Sequence, residues 1–202
     1  MSGSGGPETR PSLVAGLGNP GPSYVDTRHN VGFMVLDRLA ARVGEHFRRH
    51  KGSGNVADVA ESRFGDRRVV LAKPRSFMNV SGGPVAAVLR YFAVPATEFV
   101  VVHDDLDLGF GTVRLKRGGG EGGHNGLRSI SRAVGGRDYL RVRFGVGRPP
   151  GRLDPADYVL RPFSAAERAE LELALELCAD AVELLLAEGL ERAQTRFHAL
   201  SP

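Results

Sequence analysis

The sequence predicts an α/β fold: a single domain with a mixed, mostly parallel β-sheet and helices on both faces. Short apolar runs alternate along the chain with longer segments in which apolar residues recur at helical spacing. The run at 99–103, Phe-Val-Val-Val-His, is apolar without alternation, as in strands buried on both faces. Strands that alternate with helices are typical of a sheet covered on both sides. The 202 residues are enough for one core and usually form one domain.

The first half of the chain is predicted to begin with a tail. Residues 1–12 are polar and glycine-rich and lack the apolar segment of a signal peptide, so we expect disorder there and a domain at 13–200. The predicted elements that follow are a strand at 13–17, a helix at 31–43, two strands at 56–60 and 69–72, and a helix that ends near Phe92. Gly65-Asp66 favours a hairpin between the two strands, and Ser81 is a candidate N-cap for the second helix.

The second half continues the alternation. The predicted elements are strands at 99–103 and 112–116, a helix at 127–134, a strand at 140–147, a long amphipathic helix at 164–187 and a last helix to about Ala199. The strand at 140–147 alternates Arg with apolar residues, which indicates one basic face. Gly189 is placed to end the long helix.

Composition excludes several classes of protein. Hydrophobic residues make up 42% and charged residues 25%, as in soluble globular domains, and no apolar run approaches the roughly 20 residues of a membrane span. Cys178 is the only cysteine, so no internal disulfide is possible, and we expect a reducing cytoplasm. Because Cys178 lies in an apolar helical pattern, we interpret it as a core residue.

Charge is distributed unevenly along the chain. Residues 110–152 contain ten Lys or Arg and two acids, whereas residues 164–191 contain eight acids and one Arg. A basic segment that also contains a glycine loop favours a polyanionic partner, with nucleic acid as the first candidate. The alternative is a solvated surface with ordinary charge scatter.

A long polar loop separates the first strand from the first helix. It begins with Gly-Leu-Gly-Asn-Pro-Gly at 16–21, which matches the dinucleotide fingerprint G-x-G-x-x-G. That fingerprint needs a helix that opens inside it, but Pro20 and Pro22 each remove a backbone donor, and Pro22 disfavours helical angles at Gly21. We interpret the match as coincidental. A nucleotide-dependent oxidoreductase remains a rival hypothesis that an NAD titration would test.

His29, at the end of this loop, is the best candidate for a general base. Imidazole titrates near neutral pH, and the start of a helix helps to keep it neutral. Asp104, at the end of the buried strand, is placed to orient the ring and restore its basicity. The alternative for His29 is a loop histidine that hydrogen-bonds its own backbone. The sequence has no Gly-x-Ser-x-Gly elbow, so a His–Asp pair indicates activation of water and hydrolysis of an activated bond, an ester more readily than an amide.

The acids at 104, 105 and 107 raise the alternative of a metal site. They do not continue into a calcium loop, because Gly109 and Lys116 stand where further oxygen ligands belong. The chain also lacks H-E-x-x-H and Cys-x-x-Cys pairs, so we expect no metal and no cofactor, with a weak Mg²⁺ site as the alternative. For Asp105 and Asp107 we favour solvated turn chemistry.

Further candidates lie in polar loops that follow strands or precede helices. The amides of Asn19, Asn79 and Asn125 offer both a donor and an acceptor, as gripping a peptide requires, although each alone is typical of a turn. Tyr24 and Phe77 could stack on a ligand, although aromatic residues are more often core. Around the glycine loop at 118–126, the candidates for phosphate binding are Lys116, Arg117 and Arg143. Because ligands gather at the carboxyl ends of strands in α/β sheets, one cleft could contain all of these residues.

Four separated motifs resemble the bacterial peptidyl-tRNA hydrolase family. They are Gly-Leu-Gly-Asn-Pro-Gly with Thr-Arg-His-Asn at 16–21 and 27–30, Lys-Pro-Arg-Ser-Phe-Met-Asn-Val-Ser-Gly at 73–82, His-Asp-Asp-Leu-Asp-Leu at 103–108, and Gly-Gly-Gly-Glu-Gly-Gly-His-Asn-Gly-Leu at 118–127. Order and spacing agree over about residues 13–200. Together the four motifs are far more specific than any one of them.

The resemblance implies cleavage of the ester that joins a peptide to the 3′ end of tRNA, without metal or organic cofactor, by a protein that is usually monomeric. It implies that His29 is the base, that Asp104 stabilises its proton-accepting state, and that Asn19 helps to distinguish N-blocked from free aminoacyl-tRNA. By the same resemblance, the substrate would contact Tyr24, Phe77, Asn79 and Asn125, and tRNA phosphate would contact Lys116 and Arg143. A non-catalytic RNA-binding protein on the same fold is the alternative; it would lack His29 or Asp104, and both are present.

Overall fold

The computed structural model describes residues 11–199 of the chain and contains a seven-stranded sheet. The strands are β1 (Ser12–Gly16), β2 (Arg48–Arg49), β3 (Ala57–Phe64), β4 (Arg67–Pro74), β5 (Phe99–Asp105), β6 (Val113–Arg117) and β7 (Leu140–Gly145). The helices are α1 (Val31–Arg42), α2 (Gly82–Tyr91), α3 (Asn125–Val134), α4 (Pro155–Val159), α5 (Ala165–Glu188) and α6 (Leu190–Ala199). Most of the predicted tail lies outside the described residues; Ser12 is buried and opens β1.

The strand order is β2-β3-β4-β1-β5-β7-β6, and the sheet is mixed. The four central strands β4, β1, β5 and β7 are parallel, whereas β2 with β3, β3 with β4, and β6 with β7 pair antiparallel. The carboxyl ends of four strands therefore meet at one edge of the sheet, which is where ligands bind in such folds. The predicted fold class is confirmed.

Helices cover both faces because alternate residues of the central strands point to opposite sides. Val14, Val100 and Val102 pack in one hydrophobic cluster with α1 and α5. Leu13 and Val101 belong to a second cluster, on the side of α2 and α3. Cys178 is completely buried within the first cluster, as predicted. In the part of the chain that the structure describes, none of the helices is long and apolar enough to span a bilayer.

Most predicted elements are present with boundaries within a few residues, but Ser81 is not a side-chain cap. Its backbone is already helical, with φ −62° and ψ −22°, because a 3-10 turn at Met78–Val80 leads straight into α2. An N-cap residue needs an extended backbone for its hydroxyl to reach the first helical N–H groups. Two short elements were not predicted, the two-residue strand β2 and the five-residue helix α4, because each is too short to show a period.

The loop after β1 has no dinucleotide-binding helix. A three-residue 3-10 turn, Pro22–Tyr24, follows the glycines, and α1 begins only at Val31. Gly32, in the first turn of α1, lies directly against β1 and β5: a Cβ there would come within 2.5 Å of the Leu17 nitrogen and the Val102 oxygen. This close approach sets the N-terminus of α1 beside the end of β5.

Candidate active site

A cleft of about 850 Å³ opens at the carboxyl edge of the parallel strands. Loops after β1 and β4, the end of β5 and the start of α3 contribute to its walls. The nine residues to which the resemblance assigns a role all line it: Asn19, Tyr24, His29, Phe77, Asn79, Asp104, Lys116, Asn125 and Arg143. Arg117 does not line the cleft; it is exposed and lies 3.7 Å from Asp138.

His29 and Asp104 form a hydrogen-bonded pair. His29 lies in a 3-10 turn, Arg28–Asn30, immediately before α1, and its Nδ1 is 2.9 and 3.1 Å from the two carboxylate oxygens of Asp104. Because a carboxylate only accepts hydrogen bonds, Nδ1 carries the proton. The lone pair of Nε2 is then left to accept a proton from a bound molecule.

His124 is a second histidine on the same carboxylate, and no role was predicted for it from the sequence. As the N-cap of α3, its Nδ1 accepts hydrogen bonds from the N–H groups of Gly126 and Leu127, at 3.1 and 3.4 Å. Its Nε2 therefore carries a proton and donates to Asp104 Oδ1 at 2.9 Å. Its position between a glycine loop and a predicted helix start is the feature of the sequence that could have indicated a role for His124.

His29, Asp104 and His124 offer three potential metal ligands within 4.8 Å of one another. For His124 Nε2 to ligate a metal, the ring proton would have to move to Nδ1, where two backbone N–H groups already point. The three groups instead satisfy one another through hydrogen bonds. Their geometry favours proton transfer over metal binding.

The charges of this cluster favour an ionised acid and a basic imidazole. Burial alone would raise the pKa of Asp104, but the neighbouring His29 and His124 lower it well below its ordinary value. Burial alone would lower the pKa of His29, yet the charge and hydrogen bond of Asp104 raise it above 6.5. His103, which points its Nδ1 at the Asp104 carbonyl 2.6 Å away, has a pKa well below 6.5 because of burial and the nearby His124, and stays neutral.

The amide of Asn19 has one fixed orientation. Its Oδ1 accepts the Met78 N–H at 2.8 Å, so its Nδ2 is the group that it can offer to a bound molecule. Asn79 and Asn125 are exposed on the cleft walls, and Arg128 lies 3.4 Å from the Asn125 Oδ1. Tyr24 and Phe77 pack edge to face with their ring centroids 6.0 Å apart, and Phe77 is 54% exposed.

A group of cations lies on the β6–β7 side of the cleft. Arg143 donates to Asp105 Oδ2 at 2.8 Å, and Asp105 Oδ1 accepts the Asp107 N–H at 2.9 Å. The turn hydrogen bond that we expected is therefore present, but the Asp105 side chain is ion-paired and not simply solvated. Lys116 has a lowered pKa because of partial burial and the nearby Arg143 and Arg141. Arg141, which the sequence placed on a basic strand face, is fully buried and donates to the carbonyls of Gly119 and Gly120, so it supports the glycine loop.

The family model described as peptidyl-tRNA hydrolase matches residues 13–202. The chain belongs to the peptidyl-tRNA hydrolase family. A relative named peptidyl-tRNA hydrolase from Nocardia farcinica is 65% identical over 193 residues, which cover 96% of this chain and 99% of the relative. Another of the same name, from Rhodococcus erythropolis, is 64% identical over 94% of this chain and 99% of its own length.

Solved structures of peptidyl-tRNA hydrolases have the same fold. The crystal structure of peptidyl-tRNA hydrolase from Acinetobacter baumannii has a TM-score of 0.86 at 31% identity, and the match covers 96% of this chain and 98% of that one. A complex of peptidyl-tRNA hydrolase with N-propanol gives a TM-score of 0.87 at 32% identity over 96% of this chain and 97% of that one. The resemblance that four motifs indicated is therefore confirmed.

Proposed function

We propose that this protein hydrolyses the ester between a peptide and the 3′ end of tRNA, with His29 as the general base that activates water. The observation that carries the proposal is the state of His29: Nδ1 is hydrogen-bonded to the ionised Asp104, which leaves Nε2 as the ring nitrogen that can accept a proton. Membership of the peptidyl-tRNA hydrolase family supports this substrate.

Water is the proposed nucleophile because the cleft offers no better one. The described residues that line it include no Ser, Thr or Cys. A neutral His29 takes a proton from water as the oxygen attacks the ester carbonyl, and the ribose oxygen leaves with the electrons of the broken bond. Asp104 stabilises the imidazolium through the hydrogen bond already present, and the imidazolium then gives its proton to the departing ribose oxygen, which returns His29 to the neutral state.

Asn19 gives a physical basis for preferring N-blocked substrates. Its available Nδ2 is a donor, and the acyl group of an N-blocked substrate presents a carbonyl acceptor. A free aminoacyl-tRNA presents an ammonium in its place, which has no acceptor and would face another donor. Tyr24, Phe77, Asn79 and Asn125 are the proposed remaining contacts to the peptide and the 3′ end.

Lys116 and Arg143 are the proposed contacts to tRNA phosphate. Both line the cleft from β6 and β7, within the basic part of the sequence. We propose that the protein acts as a monomer in the cytoplasm, without metal or cofactor. Membership of the peptidyl-tRNA hydrolase family supports a role on tRNA, and the single buried cysteine is compatible with a reducing compartment.

The test compares N-acetyl-aminoacyl-tRNA with the same aminoacyl-tRNA unblocked, both with EDTA present. The proposal expects rapid release of tRNA from the blocked form and slow release from the free form, with no loss of rate in EDTA. Equal rates on both forms, or activity that EDTA abolishes, would contradict it.

A further inference from the structure

Asn30 is a buried amide next to the proposed base, and it has no role in the mechanism proposed above. It is the last residue of the 3-10 turn that carries His29 and the N-cap of α1, and it is 3% exposed. Its side chain makes no capping hydrogen bond to the helix. Because a buried amide without partners is costly, its partners indicate its purpose.

Both polar atoms of the Asn30 side chain bind the backbone of Asn19. Its Oδ1 accepts the Asn19 N–H at 2.8 Å, and its Nδ2 donates to the Asn19 carbonyl at 2.9 Å. One side chain thus occupies the donor and the acceptor of a single residue, in the way that a neighbouring strand would. A third bond, from the Met78 N–H to Asn19 Oδ1, fixes the Asn19 side chain.

These three bonds leave one polar group of Asn19 available, the Nδ2 that we propose for substrate recognition. The two hydrogen bonds from the Asn30 side chain to the Asn19 backbone, here called the Asn30 clamp, therefore set where that donor lies. Because Asn30 directly follows His29, the clamp also couples the position of the donor to the position of the base.

We propose that Asn30 is a positioning residue that holds Asn19 in register with His29 and so sets the preference for N-blocked aminoacyl-tRNA. This inference rests on the proposed function. Asn30 is not among the residues that line the cleft, so it acts through Asn19. Loss of the clamp leaves His29 on Asp104, so it weakens the discrimination by Asn19 without changing the titration of the base.

A double-mutant cycle with Asn19→Ala and Asn30→Ala tests the proposal. Asn30→Ala is expected to lower the ratio of kcat/KM for N-acetyl-aminoacyl-tRNA over free aminoacyl-tRNA by about 10- to 10²-fold, the cost of a misplaced contact. The double variant is expected to lose no more than Asn19→Ala alone, within about 2-fold, because Asn30 has no route to the substrate except Asn19. Losses that multiply would overturn the proposal.

The pH profile separates positioning from general damage. The acid limb of kcat/KM, which reports His29, is expected to keep its midpoint in Asn30→Ala; a shifted midpoint would show that Asn30 acts on the base and would overturn the proposal. The matched control is Ser12→Ala, which removes the part-buried hydrogen bonds of the Ser12 hydroxyl with Glu98 and Arg67 at the opposite end of β1 and should leave the substrate ratio unchanged.

A second variant covers the case in which Asn30→Ala does not fold. Asn30→Asp keeps the size and the acceptor for the Asn19 N–H but loses the donor to the Asn19 carbonyl, so a smaller loss of the substrate ratio is expected. An unchanged ratio in a folded Asn30→Asp protein would count against the clamp. Wild-type protein that fails to cleave N-acetyl-aminoacyl-tRNA would instead refute the proposed function, so the two failures are distinguishable.

Discussion

At the scale of single residues, Asp104 organises the proposed site. It is 3% exposed, yet its carboxylate accepts one N–H hydrogen bond from the His29 ring and one from the His124 ring, each at 2.9 Å. A buried carboxylate is stabilised only when such donors surround it. The second donor also prevents Asp104 from rotating away from His29, so His124 contributes to the orientation of the base.

The pH dependence of the reaction should report this pair. His29 acts as a base only when neutral, and Asp104 raises its pKa above 6.5, so the acid limb of kcat/KM should have its midpoint above 6.5. In Asp104→Asn the burial remains while the attraction is lost, so the midpoint should move to lower pH as kcat falls. Asp107→Asn, whose carboxylate pairs with Arg148, is the control and should keep the midpoint. If the midpoint of the acid limb did not move in Asp104→Asn, Asp104 would not be the group that raises the pKa of the base.

The phosphate contacts should show in the salt dependence of KM. Removal of Lys116 should raise KM and reduce the slope of log affinity against log salt by about 0.7 to 0.9, the change expected for one phosphate contact. Arg143→Ala should raise KM further, because it also leaves Asp105 without its partner beside the phosphate. The control is Arg63→Ala, an exposed arginine near the β3–β4 hairpin at the opposite edge of the sheet. Equal slopes in wild type and both variants would place tRNA elsewhere.

At the scale of elements, the site depends on how closely α1 approaches the sheet. Gly32 makes that approach possible, because its Cα faces the backbone of Leu17 and Val102 where a Cβ would not fit. The turn that carries His29 is continuous with α1, and Asp104 follows Val102 by two residues on β5. The His29–Asp104 distance is therefore set by helix–sheet packing.

Gly32→Ala should consequently reduce both activity and stability. The added methyl group must push α1 away from β1 and β5, which should lower the free energy of unfolding by about 1–3 kcal/mol, as overpacking does, and weaken the His29–Asp104 pair. Gly83→Ala is the matched control: it lies in α2 with open space around it, and the better helix propensity should stabilise by up to about 1 kcal/mol. Denaturant unfolding and kcat would be measured on both. A Gly32→Ala protein with normal stability would contradict this packing account.

A buried arginine joins the proposed catalytic loop to the segment that precedes α5. Arg28 donates to Glu167 at 2.6 Å and to the carbonyls of Arg161 and Pro162, and its guanidinium lies over the Tyr158 ring. Glu167 also completes the capping box of α5 with Ser164. These contacts of Arg28 keep α4 and Leu160, which line the cleft, next to the turn that carries His29.

Removal of the Glu167 carboxylate should lower the free energy of unfolding. Glu167→Gln leaves Arg28 buried without a charge partner, and breaking such a pair costs about 3–5 kcal/mol of unfolding free energy. Glu172→Gln is the control, because its partner Arg38 is on the surface, and the expected change is below about 1 kcal/mol. Chemical denaturation of the two variants under identical conditions measures the difference. Similar stabilities for both would show that Arg28 does not need Glu167.

At the scale of the whole molecule, the sequence predicted the elements and the contents of the cleft better than the contacts inside it. Apolar periods and turn residues identify strands and helices locally, and the strand-end rule brings polar loops to one edge. The sequence could not show that Arg141 is buried beneath the glycine loop or that Asp105 pairs with Arg143, because both contacts join segments distant in the chain. His124 and Asn30 were missed for the same reason: their importance lies in hydrogen bonds to partners that only the fold brings near.

The most direct test of the account is the rate at which the His29→Ala protein releases tRNA from N-acetyl-aminoacyl-tRNA in EDTA, beside wild type. Loss of a general base should lower kcat by at least about 10²–10⁴-fold. KM should change little, because the substrate contacts remain. His46→Ala, a histidine that the structure places on the exposed surface, is the control and should retain full activity. A His29→Ala protein that keeps near-wild-type kcat would contradict the assignment of the base and the mechanism built on it.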